Sequence, residues 1–180
     1  MTRRLHLCET GFALTNDCDW NIRKDADIRI MYKVVDFVPE HADDLQSRPD
    51  VHKFSEIGAV KNDAIKQMAV PGQAISLLTN GHLIASGGIY PIWSGFAEAW
   101  FLSSGMVAKH KRPVIVTVKN HIDAMIIEHG YKRLQATARE DWKVAQRFLE
   151  FLGFEREGLM RNYGPDNSDH FLYARIINAS

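Results

Sequence analysis

The sequence predicts an α/β (α+β) domain with a mixed, mostly antiparallel sheet and flanking helices. The first observation is a pair of apolar runs, residues 74–79 and 82–90, joined by Asn80-Gly81, which is the strongest short hairpin signal. The second is the alternation of strand-like and helix-like segments over residues 96–152. Hairpins give antiparallel neighbours and parallel neighbours need a helical crossover, so the two patterns together predict both kinds of pairing in one sheet.

The segments before the hairpin are less regular. Residues 1–26 lack periodicity and are interpreted as an N-terminal arm, which leaves residues 27–180 as one domain. The β-rich stretch 28–35 predicts a strand, and residues 39–46 predict a short helix that begins near Pro39. Residues 50–70 are mixed, with some helical spacing.

Several glycines mark special positions around the predicted strands and helices. Gly87-Gly88 lies late in the second hairpin strand and indicates a bulge or a close backbone approach. A strand is predicted over 96–102, and then a helix over 113–128 that ends at Gly130.

The final elements alternate again. Residues 132–139 predict a strand with alternate apolar positions, and Asp141 is a suitable cap for a helix over 142–152 that ends at Gly153. Residues 154–160 and 170–176 predict two more strands joined by a turn-rich loop.

Composition excludes several classes of function. Lys+Arg 22 balances Asp+Glu 22, so no global field favours nucleic acid or an anionic membrane. No stretch approaches the about eighteen apolar residues of a membrane span, and the N-terminus does not resemble a signal peptide. The two cysteines, Cys8 and Cys18, fit a reducing compartment, and with His6 they fall short of a tetrahedral zinc site. We therefore expect an intracellular protein without a metal.

Residues 145–158 carry the most specific pattern, Ala-Gln-Arg-Phe-Leu-Glu-Phe-Leu-Gly-Phe-Glu-Arg-Glu-Gly. It resembles the A-x-x-F-Y-x-x-x-G-F-x-x-E-G signature of acyl-CoA N-acyltransferases of the GNAT superfamily, and the resemblance extends over about residues 27–177. It implies a GNAT-like mixed sheet in which strands 96–102 and 132–139 run parallel and splay apart toward their C-terminal ends. It also implies acetyl-CoA as cofactor and an amine as acceptor.

The resemblance implies a cofactor site at the start of the long helix, where the family uses an R/Q-x-x-G-x-G/A loop to cradle the pyrophosphate. Residues 108–115 contain no glycine, so Lys109, Lys111 and Arg112 are the candidates to hold the phosphates as charges. A solvated basic turn is the alternative interpretation of this cluster.

Two further family positions depart from the pattern. Trp142 stands where an asparagine contacts CoA in the family, and it is the fourth candidate cofactor-binding residue. Leu149 stands where a tyrosine protonates the leaving thiolate. We expect Leu149 and Phe148 to be core residues, so another hydroxyl, such as that of Tyr163, or solvent must supply the proton.

Glu98 matches the position of the glutamate that deprotonates the acceptor amine in the family. The alternative is an ordinary exposed strand residue. Trp93 and Trp100 are candidates to line an acceptor pocket, although buried tryptophans are more often core residues.

The glycine-free loop, the absent tyrosine and the strand end Trp-Phe-Leu-Ser-Ser at residues 100–104 carry a narrower resemblance, to phage-encoded GNAT-like proteins that include internal virion proteins of short-tailed phages. Two hypotheses follow: an atypical acetyltransferase, and an inactive GNAT fold that works in the virion or binds a host protein. Both place the protein in the cytoplasm of a bacterial host or in a virion. A homo-oligomer is also open, because the sequence does not specify an oligomeric state.

Overall fold

A computed structural model describes residues 20–22, 30–46 and 70–178. Most of the predicted N-terminal arm and nearly all of the mixed stretch 50–70 lie outside the described residues. The strands are β1 (Trp20–Ile22), β2 (Ile30–Asp36), β3 (Ala74–Thr79), β4 (His82–Trp93), β5 (Phe96–Ser103), β6 (Arg133–Arg139), β7 (Glu155–Met160) and β8 (His170–Ile176). The helices are α1 (Pro39–Gln46), α2 (Lys111–His129) and α3 (Lys143–Phe151), with a 3-10 turn at Gly105–Lys109.

The eight strands form one sheet in the order β1-β2-β3-β4-β5-β6-β8-β7. Every neighbouring pair is antiparallel except β5 and β6, which are parallel. Helix α2 is the crossover that parallel neighbours require. The predicted fold class, a mixed and mostly antiparallel sheet with one parallel pair, is therefore confirmed.

The predicted hairpin joins β3 to β4 through Asn80 and Gly81, whose φ angles of 47° and 80° suit a type I′ turn. Gly88 lies at a close backbone approach. A Cβ there would be 2.6 Å from both the Ala74 Cβ and the Gln73 carbonyl oxygen. The register shift in this strand pair lies between Leu77 and Leu78 instead.

The helix boundaries follow the predicted signals with one exception. Gly130 and Gly153 end α2 and α3 with φ angles of 65° and 85°. The sequence predicts Asp141 as the cap of α3, but the N-cap residue is Trp142. The Asp141 carboxylate instead pairs with Arg139, at 3.1 Å from Nε to Oδ1, so the cap prediction is wrong.

The sheet has a different cover on each face. On one face, α2 and α3 bury Ile122, Met125 and Leu149 against the sheet, together with Ala97 and Leu134. On the other face, α1 contributes Ala42 to a smaller cluster with Phe37, against which Trp100 packs. Side chains alternate along a strand, so Glu98 faces away from α2 and α3.

Candidate active site

The parallel pair opens beyond its first three residues. Strands β5 and β6 pair at Phe96–Arg133, Ala97–Leu134 and Glu98–Gln135. Both strands continue past this point, to Ser103 and Arg139, but they no longer pair with each other. The predicted splay toward the C-terminal ends is confirmed, and it creates an opening in the middle of the sheet.

Glu98 lies at the last paired position of β5, where the opening begins. Its side chain is half-buried, and Tyr90 of β4 is its partner on the other side. Burial raises the pKa of Glu98, and a hydrogen bond with the Gln135 side chain lowers it in part. A carboxylate with a raised pKa accepts a proton more readily than a solvated one, so the position suits a general base.

Tyr163, in the loop between β7 and β8, belongs to the same region. Burial raises the pKa of its phenol, and the negative charge of Glu98 raises that pKa further. Its ring lies 5.3 Å from the ring of His170, centroid to centroid, and 52% of the residue is exposed. Burial and the Glu98 charge both favour the protonated form of the Tyr163 phenol.

The basic cluster lies where the 3-10 turn meets the start of α2. Lys109, Lys111 and Arg112 are all exposed, and the first turn of α2 contains no acidic residue. The His110 ring holds this end to β2, because its Nδ1 lies 2.8 Å from the Tyr32 hydroxyl. Three cations and a helix N-terminus together favour an anion at this end of the helix.

Trp142 is brought to the same edge of the sheet as the basic cluster. It is the N-cap residue of α3, directly after β6, whereas the start of α2 follows β5. The C-terminal ends of parallel strands lie at one edge, so both candidates flank the opening. The structure thus places Trp142 and the cluster beside the opening and Glu98 at its base.

The opening is bridged on the helical side by two aromatic rings. Phe101 of β5 and Phe148 of α3 lie 4.7 Å apart between ring centroids. Leu149 is 9% exposed and Phe148 packs against the core, as expected.

Sequence reasoning missed Gln146, which is buried within the family-like motif. Its Nε2 donates to the carbonyl oxygens of Arg139 at 2.8 Å and of Glu140 at 2.7 Å. These bonds tie α3 to the end of β6 and so help to fix one side of the opening. Its place in the motif was the only sequence signal, and it did not reveal these partners.

The two tryptophans differ in environment. Trp93 is 66% exposed and packs on Phe96 at 4.4 Å between ring centroids. Trp100 is half-buried and lies 5.0 Å from the Phe37 ring, on the side covered by α1. Trp100 thus contributes to a core cluster, and Trp93 is the more accessible of the two.

Within the described ranges, no three His, Cys, Asp or Glu side chains gather into a possible metal site. Cys8, Cys18 and His6 lie outside these ranges. No described helix is both long enough and apolar enough to cross a membrane.

A mixed sheet that opens at one parallel pair, with a long crossover helix between the two strands, is the fold of the GNAT acetyltransferases. The chain resembles a GNAT-family acetyltransferase from Bacillus anthracis, with a TM-score of 0.60 and 15% identity over 81% of this chain and 94% of that one. It also resembles Ard1 from Thermoplasma volcanium, with a TM-score of 0.64 and 15% identity over 82% of this chain and 99% of that one.

A third similar structure is the microcin C7 self-immunity acetyltransferase MccE in complex with acetyl-CoA and AMP. Its TM-score is 0.59 with 14% identity over 81% of this chain and 92% of that one. No protein-family profile and no curated protein matches the sequence. At such low identity, the similarity establishes the fold of the chain.

Proposed function

We propose that this protein transfers an acetyl group from acetyl-CoA to an amine, with Glu98 as the general base. The observation that carries the proposal is the position of Glu98, half-buried at the last paired residue of β5 where the sheet opens. Burial raises the pKa of this carboxyl group, which makes its carboxylate a better proton acceptor for an ammonium or amine.

The chemistry requires the acceptor nitrogen to lose a proton before or while it attacks a thioester. Glu98 accepts that proton at a carboxylate oxygen, directly or through one water. Acetyl-CoA, when bound, supplies the activated acyl group and the thiolate leaving group. Gln135 keeps the Glu98 side chain oriented through their hydrogen bond.

Three residues at the start of α2 fit the phosphates of the cofactor. Lys109, Lys111 and Arg112 are exposed, and the first turn of α2 has no acidic side chain to compete with an anion. Arg and Lys bind phosphate oxygens through charge-assisted hydrogen bonds, which compensates for the absent glycine loop. Trp142 provides an aromatic surface at the same edge of the sheet.

A second candidate keeps the fold and loses the chemistry: a phage-encoded protein that acts in the virion or binds a host protein in the bacterial cytoplasm. The contact between Phe101 and Phe148 favours it, because these rings fill the helical side of the opening. Leu149, in place of a tyrosine, favours it as well.

Acetyl transfer is tested by following release of the CoA thiol with acetyl-CoA and three amines: a peptide with a free N-terminus, a lysine-containing peptide and a polyamine. We expect Glu98→Gln to lower kcat by about a hundredfold or more, the usual contribution of a general base, with unchanged acetyl-CoA affinity. Glu155→Gln is the matched control, because Glu155 is exposed on the edge strand β7. A Glu98→Gln variant as active as wild type would contradict the role of Glu98. Absence of both binding and turnover would favour the second candidate.

A further inference from the structure

A row of side chains crosses the sheet next to Glu98. The strand register places Phe96 of β5 opposite Trp93 of β4 on one side and opposite Arg133 of β6 on the other. Arg133 in turn is opposite Ile176 of β8. These four residues are called the Trp93 row. Because side chains alternate along a strand, Phe96 shares the face of Glu98, and at about 3.3 Å per residue the row lies about 7 Å from it.

A β-bulge at Ile92 brings Trp93 to this face. The partner of Pro91 is Ala97, and the partner of Trp93 is Phe96, which is the next residue back along β5. Ile92 is therefore an extra residue in β4. Regular alternation would place Trp93 on the face of Pro91 and Ala97, which α2 and α3 cover. The bulge turns one large aromatic side chain toward the face of the proposed base instead, a use of bulges that recurs next to active sites.

Backbone and ring contacts hold the Trp93 row in place. The Gly95 carbonyl oxygen, in the turn between β4 and β5, accepts the N–H of Lys132 at 2.8 Å and the N–H of Arg133 at 3.0 Å. The ring of Trp93 packs on Phe96 at 4.4 Å between centroids, and the Arg133 guanidinium lies 5.9 Å from the centroid of the Phe96 ring. Phe96 is only 8% exposed under these neighbours, whereas Trp93 is 66% exposed. The row is thus an accessible aromatic surface on strands, which hold side chains more precisely than loops do.

The one cation of the row is neutralised within the sheet. Arg133 Nη1 and Nη2 donate to the two carboxylate oxygens of Glu157 at 2.8 Å and 2.6 Å. At the end of the row, Ile176 is 55% exposed. This face of the sheet therefore combines a carboxyl group, which suits a cationic amine, with a largely apolar and electrically balanced surface about 7 Å away.

We propose that the Trp93 row selects the acceptor, and that the acceptor is a peptide chain whose amine is followed by a large apolar or aromatic side chain. This proposal rests on the proposed acetyl transfer and names the substrate class of the same site. The amine reaches Glu98 while the apolar side chain packs on Trp93, which is the specificity-determining residue. An exposed ring on an open sheet face suits a chain that runs across it, because sites for small molecules enclose most of their ligand.

A binding test that does not depend on turnover is NMR of protein labelled in its tryptophan indoles, with Trp93→Phe to assign the signal. Two peptides with a free N-terminus are titrated, which differ only in phenylalanine or serine at the second position. We expect the phenylalanine peptide to shift the Trp93 signal at a concentration at least about tenfold lower, a common discrimination by an apolar contact. Equal responses to the two peptides, or no response to either, would overturn the proposal.

The kinetic test compares kcat/KM for the same two peptides. The wild-type protein should prefer the phenylalanine peptide by at least about tenfold. Trp93→Ala should remove most of this preference and leave both the serine peptide and the KM for acetyl-CoA nearly unchanged, while Trp93→Phe should restore part of it. Phe151→Ala is the matched control, because Phe151 is an aromatic residue of α3, 67% exposed, on the other side of the sheet.

The outcomes separate the two proposals. Equal turnover of the two peptides, or turnover of a polyamine and of neither peptide, overturns the acceptor class and leaves acetyl transfer intact. A preference that Phe151→Ala abolishes as fully as Trp93→Ala also overturns the role of the Trp93 row. An indole signal that discriminates between the peptides without turnover of any amine overturns acetyl transfer, and the Trp93 row then remains a peptide-binding surface only.

Discussion

At the scale of single residues, Glu98 couples the proposed chemistry to stability. Burial raises the pKa of its carboxyl group in the folded state, so the folded protein binds this proton more tightly than the unfolded chain. Stability from this group is therefore present below the unfolded pKa. This contribution to stability decreases as the pH rises from the unfolded-state pKa to the folded-state pKa. Above both pKa values it no longer changes with pH.

The first stability prediction follows from the direction of this pKa shift. Glu98→Gln should raise Tm above the folded pKa, because the variant has no charge to bury. It should have little effect at about pH 4, where much of the wild-type carboxyl group is protonated in both states. Thermal melts between about pH 4 and about pH 8 measure the Tm difference, with the exposed Glu155→Gln as control. A difference that is the same at every pH would contradict the expectation.

At the same scale, the sequence predicts some site residues and misses others for clear reasons. Glu98 came from the family resemblance, which implies a glutamate at this position of the strand, and its role stays a prediction; the strand pattern specified only which face of the sheet it occupies. The role of Gln146 was not predictable, because its two acceptor carbonyls belong to the residues that join β6 to α3. The Asp141 cap failed for a similar reason: Arg139, two residues earlier, pairs with the carboxylate.

At the scale of elements, the predicted strands and helices were accurate wherever apolar residues recur at a regular spacing. Strand β6 buries Leu134, Ala136 and Ala138 as its alternation requires. The choice between a bulge and a close approach at Gly88 was not readable, because it depends on how the neighbouring strand passes. Local pattern thus specifies an element, and the distance to its neighbour comes from packing.

The second stability prediction belongs to this strand contact. Gly88→Ala should lower the free energy of unfolding by about 1–3 kcal/mol, the usual cost of overpacking, because the new methyl group meets Ala74 and the Gln73 carbonyl. Gly158→Ala is the matched control, since a methyl group added at Gly158 would have no atom within 4 Å. Chemical denaturation of the two variants compares the costs. Equal destabilisation would show that the close approach is not what excludes a side chain at Gly88.

At the scale of the whole molecule, the parallel pair determines where a ligand could act. The sequence order predicts that β5 and β6 are parallel, and the C-terminal ends of both strands then share an edge with the start of α2 and with α3. Whether the opening is free depends on side chains from different elements, such as Phe101 and Phe148. Pattern analysis cannot supply that contact, because the two residues are distant in sequence.

The same arrangement leads to a prediction about cofactor affinity. Residues 108–115 have no glycine, and Pro113 lacks an N–H, so long cationic side chains must replace a backbone cradle for phosphates. Such contacts are exposed, and exposed charges are screened over about 10 Å at roughly 0.1 M salt. We therefore expect acetyl-CoA binding to be weak and to weaken steeply with salt.

Calorimetry at about 0.05 M and about 0.3 M salt tests this expectation, because the screening length falls by a factor of about 2.4 between the two conditions. Replacing Lys109, Lys111 and Arg112 together with alanine should weaken binding at low salt by roughly tenfold or more, since three surface contacts of about 0.5 kcal/mol each give that factor. It should also flatten the salt dependence of binding, because the charges that salt screens are gone.

A control variant removes the same amount of charge elsewhere on the surface, at Lys119, Lys132 and Arg156. It should preserve most of the affinity for acetyl-CoA and the salt dependence of that affinity. Tight binding that ignores salt and survives the first triple change would refute a cofactor site made of charges. No binding by the wild-type protein at either salt concentration would favour an inactive fold that binds a virion or host protein.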